Sequence, residues 1–161
     1  MTHLVLKYLH VLGAVVLIGT GTGIAFFLVA AHTTGKASRI AGVARIVVTA
    51  DFLFTATAVI AQPVTGVLLA REMGYHLLEG WIVLSIVLYV VIGLLWLPVV
   101  VLQMGIRDIA EAAEAAGAPL PSRYYWLFWS WFVFGFPAFG AILAILWLMI
   151  ARPSVELPWI G

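Results

Sequence analysis

Apolar residues fill four long stretches of this chain, with short polar intervals between them. The stretches run from about 4 to 31, 45 to 70, 81 to 104 and 124 to 150. Roughly 20 apolar residues suffice to cross a bilayer as a helix, so each stretch predicts a membrane span. The fold class expected is all-α, a polytopic membrane protein: a four-transmembrane-helix bundle with short loops, forming one domain over residues 1–161. The intervals carry their own signals. "HTTGKASRIAGVAR" predicts a short surface helix, and "REMGYHLLEG" a tight turn with Gly74 and Gly80 as breakers. "GIRDIAEAAEAAGAPLPSR" reads as an Ala/Glu helix stopped by Gly117 and Pro119. Its Asp108, Glu111 and Glu114 read as a solvated face. Pro153 and Pro158 end the fourth span, and Trp159 is placed at the membrane interface.

Polar residues within the stretches break the pattern, and helical geometry of about 100° per residue sorts them into faces. Lys7, His10, Ala14, Leu17 and Gly21 share one stripe of the first span. Asp51, Thr55, Ala58 and Gln62 share one in the second, and Ser85, Tyr89, Trp96 and Gln103 in the third. Ser130, Pro137 and Ala144 align in the fourth. Lipid cannot satisfy polar groups, so the stripes of the first three spans are expected to face one another. Depth at about 1.5 Å per residue separates an outer cluster around His10 and Gln62 from an inner one around Asp51. Pro63, Pro98 and Pro137 free backbone carbonyls inside their helices, which nearby hydroxyls can satisfy.

Composition sharpens this picture. The chain is 65% hydrophobic and 9% charged, against about 25% charged in soluble domains. Without cysteine there is no disulfide and no thiolate for an iron–sulfur cluster. A net charge of +1 gives no reason to expect nucleic acid as a partner; the partner expected is the lipid bilayer. The first span is too long, and followed by too poor a cleavage site, for a signal peptide, so it reads as a retained helix. Lys36, Arg39, Arg45, Arg107 and Arg123 lie in the first and third intervals, against Lys7, Arg71 and Arg152 on the other side. That bias places both termini outside and the first and third loops in the cytoplasm.

Each ionisable group within a span is a functional hypothesis by default. His10 can ligate haem iron or another metal, relay protons, or steady helix packing through a hydrogen bond. Lys7 either snorkels to the surface or pairs with an acidic group such as a haem propionate. Asp51 is either carried protonated or paired with Arg45, Arg123 or a substrate. A haem held by two histidines needs two at matching depth. His3 and His76 lie near the outer surface and His32 on the inner side, so that pattern is incomplete. "GTGTG" at 19–23 lies within a span and is no phosphate loop; Gly19 and Gly23 instead form a small-xxx-small helix-packing face. The aromatic run "RYYWLFWSWF" reads as an interfacial belt entering the bundle rather than a cofactor wall.

The motifs "LKYLHVLG", "GTGTGIAFF", "RIVVTADFLFT", "QPVTG", "WLPVVVLQ", "PSRYYWLFWSWFVFGFPAF" and "WLMIARP" follow one another along nearly the whole chain. In them it resembles a family of bacterial predicted integral membrane proteins, the domain of unknown function 2269. The resemblance implies a four-helix protein of the bacterial inner membrane and no established activity. "LKYLHVLGAVVLIG" is also distantly similar to the first helix of the haem-binding membrane protoporphyrinogen oxidase family and to copper-resistance membrane domains. That likeness implies His10 as a haem-linked histidine with Lys7 as its companion; the oxidase's later helices do not match.

Three functions stand open on the sequence. One is a redox protein binding haem b, with His10 as axial ligand, Lys7 near a propionate, and Gln62 and Tyr89 as supporting groups. A second is a small proton-coupled transporter or channel-like component, with Asp51, Thr55 and Gln62 lining the path and self-association required. The third is a structural subunit of a larger membrane complex, with Gly19, Gly23 and the aromatic helix as contacts.

Overall fold

The computed structural model describes residues 1–155, so Pro158 and Trp159 lie outside the described residues. Helix α1 covers Thr2–Thr33 and α2 Ala37–Ala50; a π-helical turn, Asp51–Thr55, joins α2 to α3, Ala56–Glu72. Helices α4, Gly80–Ala115, and α5, Ser122–Ala151, complete the described fold. Because α2, the π-turn and α3 form one rod of 36 residues, the described residues form four rods long and apolar enough to cross a membrane. Four crossings put Thr2 and Ala151 on the same side, called here the termini face.

Two rods are longer than the apolar pattern predicts. The expected surface helix of the first interval is the beginning of α2, and the Ala/Glu helix of the third is the end of α4. Neither segment contains a proline, and each has a buried seam. Ile40, Ala41 and Ala44 of α2 meet Ile106 and Ala110 of α4 beneath Tyr124, all almost fully buried. At about 1.5 Å per residue a 36-residue rod reaches about 54 Å, well past a hydrocarbon core of about 30 Å. The surplus projects beyond the bilayer opposite the termini, where Arg45 and Glu111 pair at 3.0 Å.

Gly74 and Gly117 sit in the turns after α3 and α4 with φ of +77° and +57°, a backbone that a Cβ disfavours. The third expected breaker, Gly80, instead opens α4.

The main core lies in the half away from the termini, where all four rods converge on residues such as Leu28, Ile40, Ile106 and Phe128. In the termini half α1 runs along α3 and α4 along α5, with sparse contact between the pairs. A second, smaller cluster there gathers Ala70, Trp81, Ile82 and Leu148. The aromatic run divides by helical period: Tyr124, Leu127, Phe128 and Trp131 are buried, while Tyr125, Trp126 and Trp129 face outward as a belt. Pro137 and Ala144 are exposed, so α5 faces inward through Tyr124, Phe128 and Trp131 and not through the expected stripe of Ser130, Pro137 and Ala144. Bulky aromatic packing, not the sparse polar positions, sets the rotation of this helix.

Candidate functional site

Two polar clusters lie within the bundle. The first centres on Asp51, which is only 3% exposed at the head of the π-turn. Its Oδ1 accepts the Trp96 indole N–H at 3.3 Å. Its Oδ2 accepts the Gln103 amide N–H at 3.1 Å, and the Gln103 carbonyl accepts the Trp131 indole N–H at 3.0 Å. This amide orientation follows from its neighbours: a carboxyl group on one side and an N–H donor on the other permit only one. The chain Trp131 to Gln103 to Asp51 is therefore directional, and it binds the second rod to α4 and α5. Every donor in it is neutral. Arg45, an expected partner, turns away to Glu111, and no described Lys, Arg or His forms an ion pair with Asp51.

Thr55 lies one turn beyond Asp51. Its hydroxyl is buried, makes no hydrogen bond of ordinary distance and angle, and has the Asp51 carboxyl group as the polar group it faces. The hydroxyls of Thr22, Thr49, Thr57, Thr65 and Ser85 all donate to the carbonyl four residues earlier. For Thr55 that carbonyl belongs to Asp51, where the π-turn supplies the Ala56 N–H instead. π-turns inside α-helices are frequent at functional positions. Here the turn leaves the hydroxyl facing a carboxyl group in place of its helical carbonyl.

The second cluster joins α1 to α3. The His10 Nδ1 lies 3.0 Å from the Thr65 Oγ1, and Thr65 donates its own proton to the Ala61 carbonyl at 2.8 Å. With that proton on the Ala61 carbonyl, the matching tautomer of His10 donates from Nδ1 to Thr65 and keeps a lone pair on Nε2. The Gln62 side chain donates to the His10 backbone carbonyl at 2.8 Å. Two glycines permit this approach. A Cβ on Gly13 would stand 2.6 Å from the Gln62 Nε2, and one on Gly66 3.1 Å from the His10 Cε1. Nearby, the Tyr89 hydroxyl donates to the Val59 carbonyl, the acceptor that Pro63, four residues on, leaves without its helical N–H.

The residues singled out from sequence thus fall into place unevenly. Asp51, Thr55, Ala58 and Gln62 form the buried stripe of their rod, as the period implies. His10 and Gln62 meet, whereas Tyr89 serves the Val59 carbonyl rather than the imidazole. Lys7 is exposed on α1. Gly19 has no atom within 4 Å of a would-be Cβ, and Gly23 only Phe27 of its own helix, so no described part of the chain packs on that face. Among the described residues no three His, Asp or Glu side chains converge as a metal site. Sequence reasoning missed Thr65, Gly13 and Gly66. The first sits three residues after Gln62, and a search for small residues opposite polar ones could have raised the glycines.

Four apolar rods enclosing a buried polar interior define a multi-pass integral membrane protein. The chain belongs to the family described as predicted integral membrane protein, DUF2269, which matches residues 4–153. No curated protein and no solved structure matches it.

Proposed function

We propose that this protein handles protons within the membrane, with Asp51 as the proton-binding group. The observation that carries the reading is a carboxyl group 3% exposed and surrounded by neutral partners, the Trp96 indole, the Gln103 amide and the facing Thr55 hydroxyl. An ionised carboxylate buried without a counter-charge costs several kcal/mol, so a proton is the occupant that removes the penalty. A protonated Asp51 donates to the Thr55 Oγ1 and still accepts from Trp96 and Gln103. When the proton leaves, those two donors hold the anion. The stripe from Thr55 past Ala58 to Gln62 leads toward the His10 imidazole, which lies beside Thr65, about 21 Å from Asp51 along the rod at 1.5 Å per residue, and gives the proton a direction of travel. In this reading the termini face the outside of a bacterial inner membrane, and a second copy packs on the Gly19 and Gly23 face to enclose the path.

The test is flux. Proteoliposomes holding the protein and a pH-sensitive dye dissipate an imposed pH gradient, and Asp51→Asn slows them to the rate of protein-free vesicles. Equal rates for the two proteins would overturn the proposal.

One observation favours a second reading. The hydrogen bond to Thr65 orients His10 with its Nε2 lone pair available, the arrangement that a haem b axial ligand requires. Haem there would supply one-electron chemistry, with Lys7 able to reach a propionate. Gln62 is committed to the His10 carbonyl, and none of the described histidines shares the depth of His10. The residues therefore fit ligation by one histidine. A Soret band in the purified protein, lost in His10→Ala, supports this reading; no band after haem supplementation removes it.

A further inference from the structure

At the termini face a shallow pocket lies between the start of α4 and the segment following α5, lined by Tyr75, Glu79, Trp81, Arg152 and Ser154. It holds two opposite charges that do not pair with each other. Each is anchored separately. The Arg152 guanidinium donates to the Tyr75 hydroxyl and lies over the Tyr75 and Trp81 rings, 5.2 and 6.0 Å from their centroids. Its backbone is in the left-handed region, with φ of 43°, a conformation that costs a non-glycine residue energy and turns the chain back over α4. The Glu79 carboxylate accepts the His76 backbone N–H at 3.1 Å and the Trp81 indole N–H at 2.8 Å. Trp81 itself is buried and edge-on to Tyr75, so the wall between the charges is rigid.

A fixed cation and a fixed anion, held apart in one pocket by their own neutral anchors, form a receptor for a dipolar ligand. Since the pocket sits where α4 and α5 leave the apolar zone, the ligand meets it at headgroup level. We propose that this pocket binds the phosphoethanolamine headgroup of a membrane lipid, its phosphate on Arg152 and its ammonium on Glu79. Arginine suits a phosphate through its planar fork of donors, and four of its five N–H groups remain after the one given to Tyr75. An ammonium supplies donors that a carboxylate accepts; the quaternary ammonium of phosphocholine has none, and phosphoglycerol has no positive charge. The site is independent of Asp51 and of His10, so its failure leaves the proton reading untouched.

Native mass spectrometry of the protein released from nanodiscs tests this. The discs hold equal amounts of phosphatidylethanolamine, phosphatidylglycerol and phosphatidylcholine. The wild type is expected to retain phosphatidylethanolamine about fivefold over either competitor, the equivalent of one partly exposed ion pair. Glu79→Gln, which keeps an acceptor for Trp81, erases the preference over phosphatidylglycerol while leaving total lipid retention unchanged. Arg152→Gln lowers retention of all three. An even distribution on the wild type, or a preference that survives both substitutions, overturns the proposal. Soluble glycerophosphoethanolamine is offered as a separate arm: binding of that compound without retention of the lipid would place the ligand in solution and overturn the lipid assignment.

Discussion

The directional chain around Asp51 makes Asp51→Asn more informative than a simple loss of charge. Asparagine keeps the shape but offers one accepting oxygen where two donors converge, from Trp96 at 3.3 Å and Gln103 at 3.1 Å. Its nitrogen must therefore face one of them, leaving a buried N–H pointed at another donor. Facing Gln103 is the costlier choice, because that amide would have to flip and then confront the Trp131 N–H. Facing Trp96 sacrifices only the longer bond, on a side chain that is half-buried. The substitution should cost about 1–2 kcal/mol, the penalty of one unsatisfied buried donor. A double-mutant cycle locates it. Trp96→Phe removes the confronted N–H, so its combination with Asp51→Asn should be less destabilising than the sum by about 1 kcal/mol. Trp131→Phe combined with Asp51→Asn should be additive to within about 0.5 kcal/mol. Reversible unfolding in mixed detergent micelles measures all of these. Coupling to Trp131 with none to Trp96 would refute the orientation assigned to Gln103.

Other contacts give sharper single tests. Gly13→Ala places a methyl 2.6 Å from the Gln62 nitrogen and should lower stability by about 1–3 kcal/mol through overpacking; adding Gln62→Ala recovers part of the loss, as thermal unfolding would reveal. Tyr89→Phe strands the Val59 carbonyl and should cost about 1–3 kcal/mol, yet cost much less beside Pro63→Ala, which restores a helical donor; equal costs in the two backgrounds would disprove the pairing. Arg45→Ala breaks an ion pair whose side chains are 62% and 39% exposed. It should change stability by less than about 1 kcal/mol and leave proton flux unaltered in vesicles.

Helical periodicity made the second rod legible before any coordinates. The positions 51, 55, 58 and 62 are its buried stripe because lipid forces polar side chains inward whatever their partners are. The partners were harder to read. Period fixes a face, but the atom that a side chain meets depends on the tilt and rotation of a neighbouring helix, and packing sets both. Thus His10 found Thr65 rather than Tyr89, and Arg45 chose Glu111 over Asp51 because α2 and α4 continue side by side beyond the membrane. The π-turn left no mark in the pattern, since 51 to 62 keeps ordinary helical spacing. The Gly19 and Gly23 face was visible as a motif, and no described residue of another helix packs on it.

The pairing of helices has a mechanical consequence. With α1 and α3 as one pair and α4 and α5 as the other, the bundle is closed at both ends: by the main core on the far side, and at the termini face by Ala70 of α3 packed with Trp81, Ile82 and Leu148. Asp51 sits near the core, tied across the pairs to Trp96, Gln103 and, through Gln103, Trp131. Removing those ties by substitution should loosen the middle of the bundle while leaving both ends packed.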